Sequence, residues 1–202
     1  PTARARLEHA IETAKRRGFL GDDIMGTGVR FDLELRIGAG AYICGEETAL
    51  FNSLEGRRGE PRSKPPFPVI HGLFGKPTGI NNVETLVNVN LILNGGAAAY
   101  AALGTPGSTG TRLFCLSGHV KRPGTYEVEC GVTLGALLEL AGGVTGTGRL
   151  RAILLGGAAG GFVGPRDLDL PLSFEAARER GVTLGSGVVA VFDDSVDLKD
   201  TV

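Results

Sequence analysis

The stretch Gly38-Ala39-Gly40-Ala41-Tyr42-Ile43-Cys44-Gly45-Glu46-Glu47 decides how the N-terminal half of this chain folds. Residues 31–37, just before it, alternate apolar and charged side chains, which predicts a half-buried strand. The glycines then predict a bend, and the two carboxylates predict the first turn of a helix that runs to Gly56. Such a bend presents bare backbone and helix-start N–H groups, against which a flat ligand can lie.

Composition places the chain among ordinary globular proteins. It has 202 residues, 42% hydrophobic and 21% charged, and its formal net charge of −1 gives no reason to expect a nucleic-acid surface. It shows neither an apolar run long enough to cross a bilayer nor a signal-peptide pattern. Pro1 stands where a start methionine is expected, which suggests an excised segment. Three cysteines without a C-x-x-C pair argue against a metal or cluster site within the chain and fit a reducing cytoplasm.

Helical spacing predicts further helices in this half, over residues 2–17 and 97–103 and after Asn81. Asn81 is the predicted N-cap of the third helix, since Glu84 follows three residues later in a relative of the capping box. Residues 57–77 hold five of the prolines and predict an extended loop.

The C-terminal half has a different texture. Residues 104–110 are rich in glycine and small polar residues, which predicts a linker. Thr133 is the predicted cap of a helix. Strands are predicted at 113–116, 126–128, 153–155 and 188–192. Two strands, one helix and further strands is the order of a β-grasp module.

Two groups of polar residues are candidates for binding, although each has a simpler interpretation. Glu46 and Glu47 alone favour an ordinary first helical turn, and the basic residues of 57–64 favour a solvated charge run. The prolines around Phe67, however, limit the entropy lost when its ring stacks on a ligand, for which adenine is a candidate, and Lys64 suits phosphate or ribose oxygens. The amides of Asn81 and Asn82 either cap a helix or, with Thr85 one turn on, hold a polar ring or a phosphate. No side chain pattern indicates a catalytic acid, base or nucleophile.

Longer motifs carry a family resemblance. The 38–50 segment, followed by Ser53-Leu54-Glu55-Gly56, Pro61-Arg62-Ser63-Lys64-Pro65-Pro66-Phe67-Pro68, Gly75-Lys76-Pro77-Thr78 and Asn81-Asn82-Val83-Glu84-Thr85-Leu86, resembles the flavoprotein subunit of respiratory complex I. That family includes the diaphorase subunits of NAD-reducing hydrogenases and formate dehydrogenases. Residues 117–124 resemble the opening of its soluble-ligand-binding β-grasp (SLBB) domain.

The resemblance implies an α/β (α+β) chain in two domains. Residues 1–108 are expected to form the C-terminal part of a Rossmann-like FMN-binding domain, and residues 109–202 the ubiquitin-like β-grasp domain. The residues expected at FMN are Tyr42, Gly45, Glu46, Glu47, Asn81, Asn82 and Thr85. Those expected at NADH are Glu47, Lys64 and Phe67, with Phe67 against the adenine. The stretches 38–47 and 81–82 are then expected to face each other across a slot for the isoalloxazine ring.

The implied activity is that of an NADH:quinone oxidoreductase component: hydride transfer from NADH to FMN, then electron transfer to iron–sulfur clusters. The family's glycine-rich phosphate loop and its [4Fe–4S] cysteine motif do not occur in this sequence. We therefore expect the chain alone to be inactive and to bind FMN weakly or not at all. Implied partners are a thioredoxin-like [2Fe–2S] subunit and other subunits of a complex at the cytoplasmic face of the inner membrane, without direct membrane insertion.

An alternative of another class stays open at this point. The β-grasp domain would be a non-catalytic module that binds a partner subunit or a small ligand, with the N-terminal half as its support. The motifs also leave complex I, hydrogenase and formate dehydrogenase flavoproteins undistinguished.

Overall fold

The computed structural model describes residues 2–200, without the side chain of Asp200. The chain forms two compact units that divide between Asn81 and Asn82. The domain boundary predicted after residue 108 stays a prediction. The helices between residue 82 and that position belong to the second compact unit.

The first unit is built from helices and extended segments. Helix α1 (Thr2–Arg16) confirms the first prediction, and helix α2 (Glu47–Leu54) confirms the helix after the glycine bend. Short 3-10 helices lie between and after them, at Ile24–Gly26, Tyr42–Gly45 and Leu73–Gly75. The core of this unit is small and centres on α2, which buries Thr48, Ala49, Phe51 and Asn52.

The predicted strand over residues 31–37 is wrong. Phe31 makes a single bridge to Gly21, and residues 32–40 have no regular structure. Alternation predicts which face a strand would bury, but a strand also needs a neighbour for its N–H and C=O groups. Within residues 2–200, no strand pairs with residues 32–37, and the side chains of Leu33 and Ile37 are exposed.

The second unit opens with helices α3 (Val83–Gly95) and α4 (Ala97–Ala101). The N-cap of α3 is Asn82, so the prediction of Asn81 was wrong by one residue. Asn82 has an extended backbone and its Oδ1 accepts from the Glu84 N–H at 2.9 Å. Because Glu84 therefore lies only two residues beyond the cap, it does not close a capping box.

The predicted linker is an ordered hairpin instead. Strands β1 (Gly104–Thr105) and β2 (Ser108–Thr109) pair antiparallel, and both side-chain hydroxyls of Thr105 and Ser108 donate to Glu175 at 2.5 Å. Small polar residues favour a turn, but nothing in their local sequence reveals a carboxylate that lies about 70 residues further along. This long-range pair holds the hairpin against the rest of the unit.

A five-stranded mixed sheet confirms the β-grasp prediction. Its strands are β3 (Thr111–Gly118), β4 (Gly124–Glu129), β5 (Leu150–Leu155), β6 (Gly161–Val163) and β7 (Val188–Asp193), in the spatial order β4-β3-β7-β5-β6. The pair β3–β7 is parallel and the other pairs are antiparallel. At Gly118 φ is 78°, and a Cβ atom would lie 2.2 Å from the Val191 carbonyl oxygen, so this approach of β3 to β7 requires glycine.

Helix α5 (Leu134–Leu140) packs across this sheet and completes the core. Thr133 caps it as predicted, through its hydroxyl and the Ala136 N–H. The fully buried large apolar side chains include Phe114, Leu134, Leu137, Ile153, Leu155 and Val191. Burial of each contributes about 1.5–3 kcal/mol, so most of the stability of this unit lies here. Strand β6 and helix α6 (Phe174–Glu179) were not predicted, because both are too short to show a period.

Candidate cofactor site

The glycine bend lines a groove of about 560 Å³ in the first unit. A Cβ atom built at Gly38, Gly40 or Gly45 would meet no other atom within 4 Å, so bare backbone faces open space there. The groove continues along α2 past Leu50 and Leu54. A flat ligand at this open backbone stays a prediction, and the neighbouring Tyr42 ring is 67% exposed.

Glu46 is the N-cap of α2. One carboxylate oxygen, Oε2, accepts from the Thr48 N–H, the Ala49 N–H and the Thr48 hydroxyl, at 2.6 to 2.8 Å. This bonding accounts for the start of α2, since a side-chain acceptor satisfies N–H groups that have no partner within the helix. The oxygen Oε1 faces Lys64.

These contacts keep the Glu46 carboxylate ionised at neutral pH. Partial burial opposes ionisation and is the largest single influence on its pKa. The hydrogen bonds from Thr48, Ala49 and Lys64 act in the opposite direction and together lower the pKa to about 2. Glu46 is therefore a fixed negative charge at neutral pH and not a proton donor.

Lys64 lies between the two carboxylates at the start of α2. Its ammonium group donates to Glu46 Oε1 at 3.3 Å and also to Glu47 Oε1. The hydrogen bond to Glu47 is the main reason that the pKa of Lys64 is raised, and it outweighs the effect of partial burial. The three side chains are about one-third exposed, so the group can still meet a ligand.

Arg62 holds the proline-rich loop against α2 and so places Lys64. Its side chain donates to Asn52 Oδ1 at 2.9 Å and to Glu55 Oε2 at 2.7 Å, and its guanidinium lies 5.6 Å from the centre of the Phe51 ring. The hydrogen bond from Arg62 lowers the pKa of Glu55. The interpretation of this loop as a solvated charge run is therefore wrong for Arg62, which is bound to a buried face of α2.

Three predicted residues line one cavity of about 480 Å³. Glu47, Phe67 and Asn81 belong to different segments of the first unit, and the fold brings them together. The cavity is also lined by Pro68, Val69, Thr78, Gly79 and Ile80, which residue type alone did not mark as candidates. Phe67 is 53% exposed, so its ring is available for stacking.

The other predicted residues are distributed as follows. Tyr42 and Gly45 lie in the 3-10 helix before α2, and Gly45 lines the glycine groove. Asn82 and Thr85 lie at the start of α3 in the second unit, both exposed. Glu47 and Asn81 thus share a cavity, whereas the glycine backbone lines a separate groove. The slot between 38–47 and 81–82 stays a prediction.

These features fit a flavin nucleotide and a nicotinamide nucleotide better than a metal cluster. Open glycine backbone, an exposed aromatic ring and a lysine with two carboxylates can contact a ring, an adenine and ribose hydroxyls. A [4Fe–4S] cluster needs four cysteine ligands, and the chain has three cysteines in all.

Comparison with known families agrees with this chemistry. The family described as the Nuo51 FMN-binding domain matches residues 1–91, and the SLBB domain family matches residues 113–167. The F subunit of the NADH-quinone oxidoreductase of Mycobacterium tuberculosis strain H37Rv is 47% identical over 190 residues, which are 94% of this chain and 43% of that protein. The chain belongs to the family of NADH-quinone oxidoreductase F subunits. The resemblance drawn from the motifs is thereby confirmed, and the interpretation as a mere interaction module is not favoured.

The same family extends to hydrogenases. The NADP-reducing hydrogenase subunit HndC of Solidesulfovibrio fructosivorans is 42% identical over 195 residues, covering 96% of this chain and 40% of that protein. A crystal structure of an NAD+-reducing [NiFe]-hydrogenase in the air-oxidized state matches 95% of this chain and 31% of its own, with a TM-score of 0.76 at 43% identity. That match confirms the α/β fold class. The chain spans less than half the length of these relatives.

Within residues 2–200, no helix combines the length and the apolar character that a membrane span requires.

Proposed function

We propose that this chain forms part of a flavoprotein that takes a hydride from NADH onto FMN and passes the electrons to iron–sulfur clusters. The observation that carries the proposal is the cavity that Glu47, Phe67 and Asn81 line together, with Lys64 held at Glu47. Family membership supplies the cofactor classes, and the cavity supplies a place for the dinucleotide.

In this proposal, the residues of this chain bind and orient NADH and FMN. Phe67 stacks on the adenine, while Lys64 and Glu47 contact the ribose hydroxyls and phosphates. FMN, when bound, supplies the hydride acceptor and the outlet for single electrons. Tyr42, Gly45, Glu46, Glu47 and Asn81 of the first unit, and Asn82 and Thr85 of the second, are assigned to FMN. No side chain transfers a proton, in agreement with the fixed charge of Glu46.

The nucleotide preference follows from charge. One relative is named an NADP-reducing hydrogenase subunit, and others are named NADH-quinone oxidoreductase subunits. A carboxylate at the adenine ribose hydrogen-bonds its hydroxyls and repels a 2′-phosphate. Glu47 therefore favours NADH over NADPH.

We assign the parent protein to a multi-subunit complex at the cytoplasmic face of the inner membrane. Its proposed direct partner is a thioredoxin-like [2Fe–2S] subunit, and the proposed [4Fe–4S] cluster lies in sequence outside this chain. The relatives are themselves named as subunits of oxidoreductases and hydrogenases, which supports an assembly of this kind.

The test is the full-length subunit, purified and assayed for flavin and for NADH oxidation with ferricyanide as acceptor. We expect one FMN per protein and NADH-dependent reduction that the Phe67→Ala substitution weakens. A full-length protein that takes up no FMN and oxidises no NADH contradicts the proposal.

A further inference from the structure

The start of helix α3 is held by a contact from outside the helix. None of the described residues of α3 is buried, although this helix carries Thr85 and follows Asn82, both assigned to FMN in the proposed function. Among the described residues, contacts of its first turn therefore bear directly on the position of both candidate flavin residues.

The contact is a hydrogen bond to the β-grasp sheet. The Glu84 carboxylate accepts from the Leu113 N–H of strand β3, with 3.0 Å between Oε1 and N. In β3 the N–H of Cys115 donates to Gly187 beside strand β7. N–H groups two residues apart in a strand point to the same side, so the Leu113 N–H faces that side as well. The pairing of β3 with β7 begins at Cys115, so Leu113 lies before the paired stretch. Glu84 thus accepts from the Leu113 N–H, which lies just before the stretch where β3 pairs with β7.

The contact continues to Asn82. The Glu84 N–H donates to Asn82 Oδ1 at 2.9 Å, which commits that oxygen to the helix. The two N–H donors of the Asn82 amide therefore point away from the helix. One residue, Glu84, links strand β3 through its side chain and the Asn82 amide through its backbone.

We propose that Glu84 is a positioning residue for the flavin site: it ties the start of α3 to the β-grasp sheet and so fixes the direction of the Asn82 amide donors. The proposal rests on the proposed function. It gives the β-grasp sheet a part in holding the candidate flavin residues of α3.

Two substitutions in the full-length subunit separate the effect of the length of the Glu84 side chain from the effect of its charge. Glu84→Gln keeps the length and an acceptor oxygen but loses the charge. Glu84→Asp keeps the charge, and its favourable place in a first helical turn, but is one methylene shorter. If the bond to Leu113 matters, Glu84→Asp weakens FMN binding about tenfold, the scale of a lost hydrogen bond to a charged group, and Glu84→Gln stays within about threefold. Glu139→Asp, at an exposed position of α5, is the matched control.

Three measurements decide the matter: the Kd for FMN, the KM for NADH of the flavin-saturated enzyme, and hydrogen exchange of the peptide that contains Leu113. We expect Glu84→Asp to raise the Kd for FMN and to speed the exchange of the Leu113 peptide, with the KM for NADH unchanged. Glu84→Gln is expected to keep the Kd and the exchange rate close to those of the original protein. If Glu84→Gln binds FMN as poorly as Glu84→Asp, or if Glu84→Asp speeds exchange and leaves the Kd unchanged, the positioning role is wrong. If the unsubstituted protein takes up no FMN, the proposed function itself fails, and this inference with it.

Discussion

The Lys64 ammonium group donates to the carboxylate of Glu47, which lines the same cavity as Phe67. Both residues were predicted as NADH contacts, and the structure pairs them with each other across 17 positions of sequence. Each of the two charges is therefore partly neutralised by the other before a ligand binds, and each side chain limits the movement of the other. A ribose diol can bridge such a pair, since the carboxylate accepts and the ammonium donates.

The Glu47→Gln substitution tests the nucleotide preference. It removes the negative charge that repels a 2′-phosphate and frees Lys64 to meet that phosphate. We expect the ratio of kcat/KM for NADPH to that for NADH to rise about tenfold, which corresponds to about 1.4 kcal/mol. Steady-state kinetics of the full-length enzyme with both nucleotides measure this ratio. Glu60→Gln, at an exposed position of the same unit, is the control, and an unchanged ratio in Glu47→Gln contradicts the role of Glu47.

The Phe67→Ala substitution tests stacking on the adenine. An aromatic stacking contact contributes about 0.5–1.5 kcal/mol beyond its buried area, so we expect the KM for NADH to rise about tenfold. Flavin content stays normal because Phe67 is not assigned to FMN. Phe67→Tyr keeps the stacking face and retains the original KM. A Phe67→Ala enzyme with unaltered KM, measured under the same conditions, removes Phe67 from the dinucleotide site.

The Asn82→Asp substitution separates capping from cofactor binding. Aspartate caps helices as well as asparagine does, so the stability of α3 is retained. The amide donors are lost and a negative charge replaces them, so FMN binding weakens by about tenfold or more. Thermal unfolding followed by circular dichroism and flavin titration measure the two effects. Equal affinity for FMN in Asn82→Asp shows that Asn82 serves only as the cap.

Local patterns were sufficient where neighbouring residues decide the structure. Helix α2 follows from two carboxylates after a glycine bend, and the β-grasp order follows from short apolar strands around one capped helix. The roles within α2 were less clear, because a first helical turn and an anion-binding site favour similar residues. The structure separates them: Glu46 caps the helix, and Glu47 lines the cavity.

Long-range partners account for what local patterns missed. Arg62 was predicted to be solvated, yet it binds Asn52 and Glu55 of the preceding helical segment. The 31–37 segment alternates like a strand but has no strand to pair with in the described residues. A single sequence shows which residues are polar or apolar, but not which distant partner satisfies each hydrogen-bonding group.

Glu175 offers a test of one such partner through pH. Its hydrogen bonds from Ser108, the largest influence, and from Thr105 lower its pKa from 4.5 to about 2 in the folded chain. As the pH falls, the unfolded chain takes up this proton first, so ionised Glu175 stabilises the fold above about pH 4.5 and loses this effect toward pH 2. Glu175→Gln is therefore expected to unfold a few degrees below the original chain near neutral pH and to approach it at about pH 3. Melting curves at both pH values, with Glu139→Gln as the exposed control, measure the difference. A gap in Tm that is the same at both pH values shows that the ionised carboxylate does not secure the hairpin.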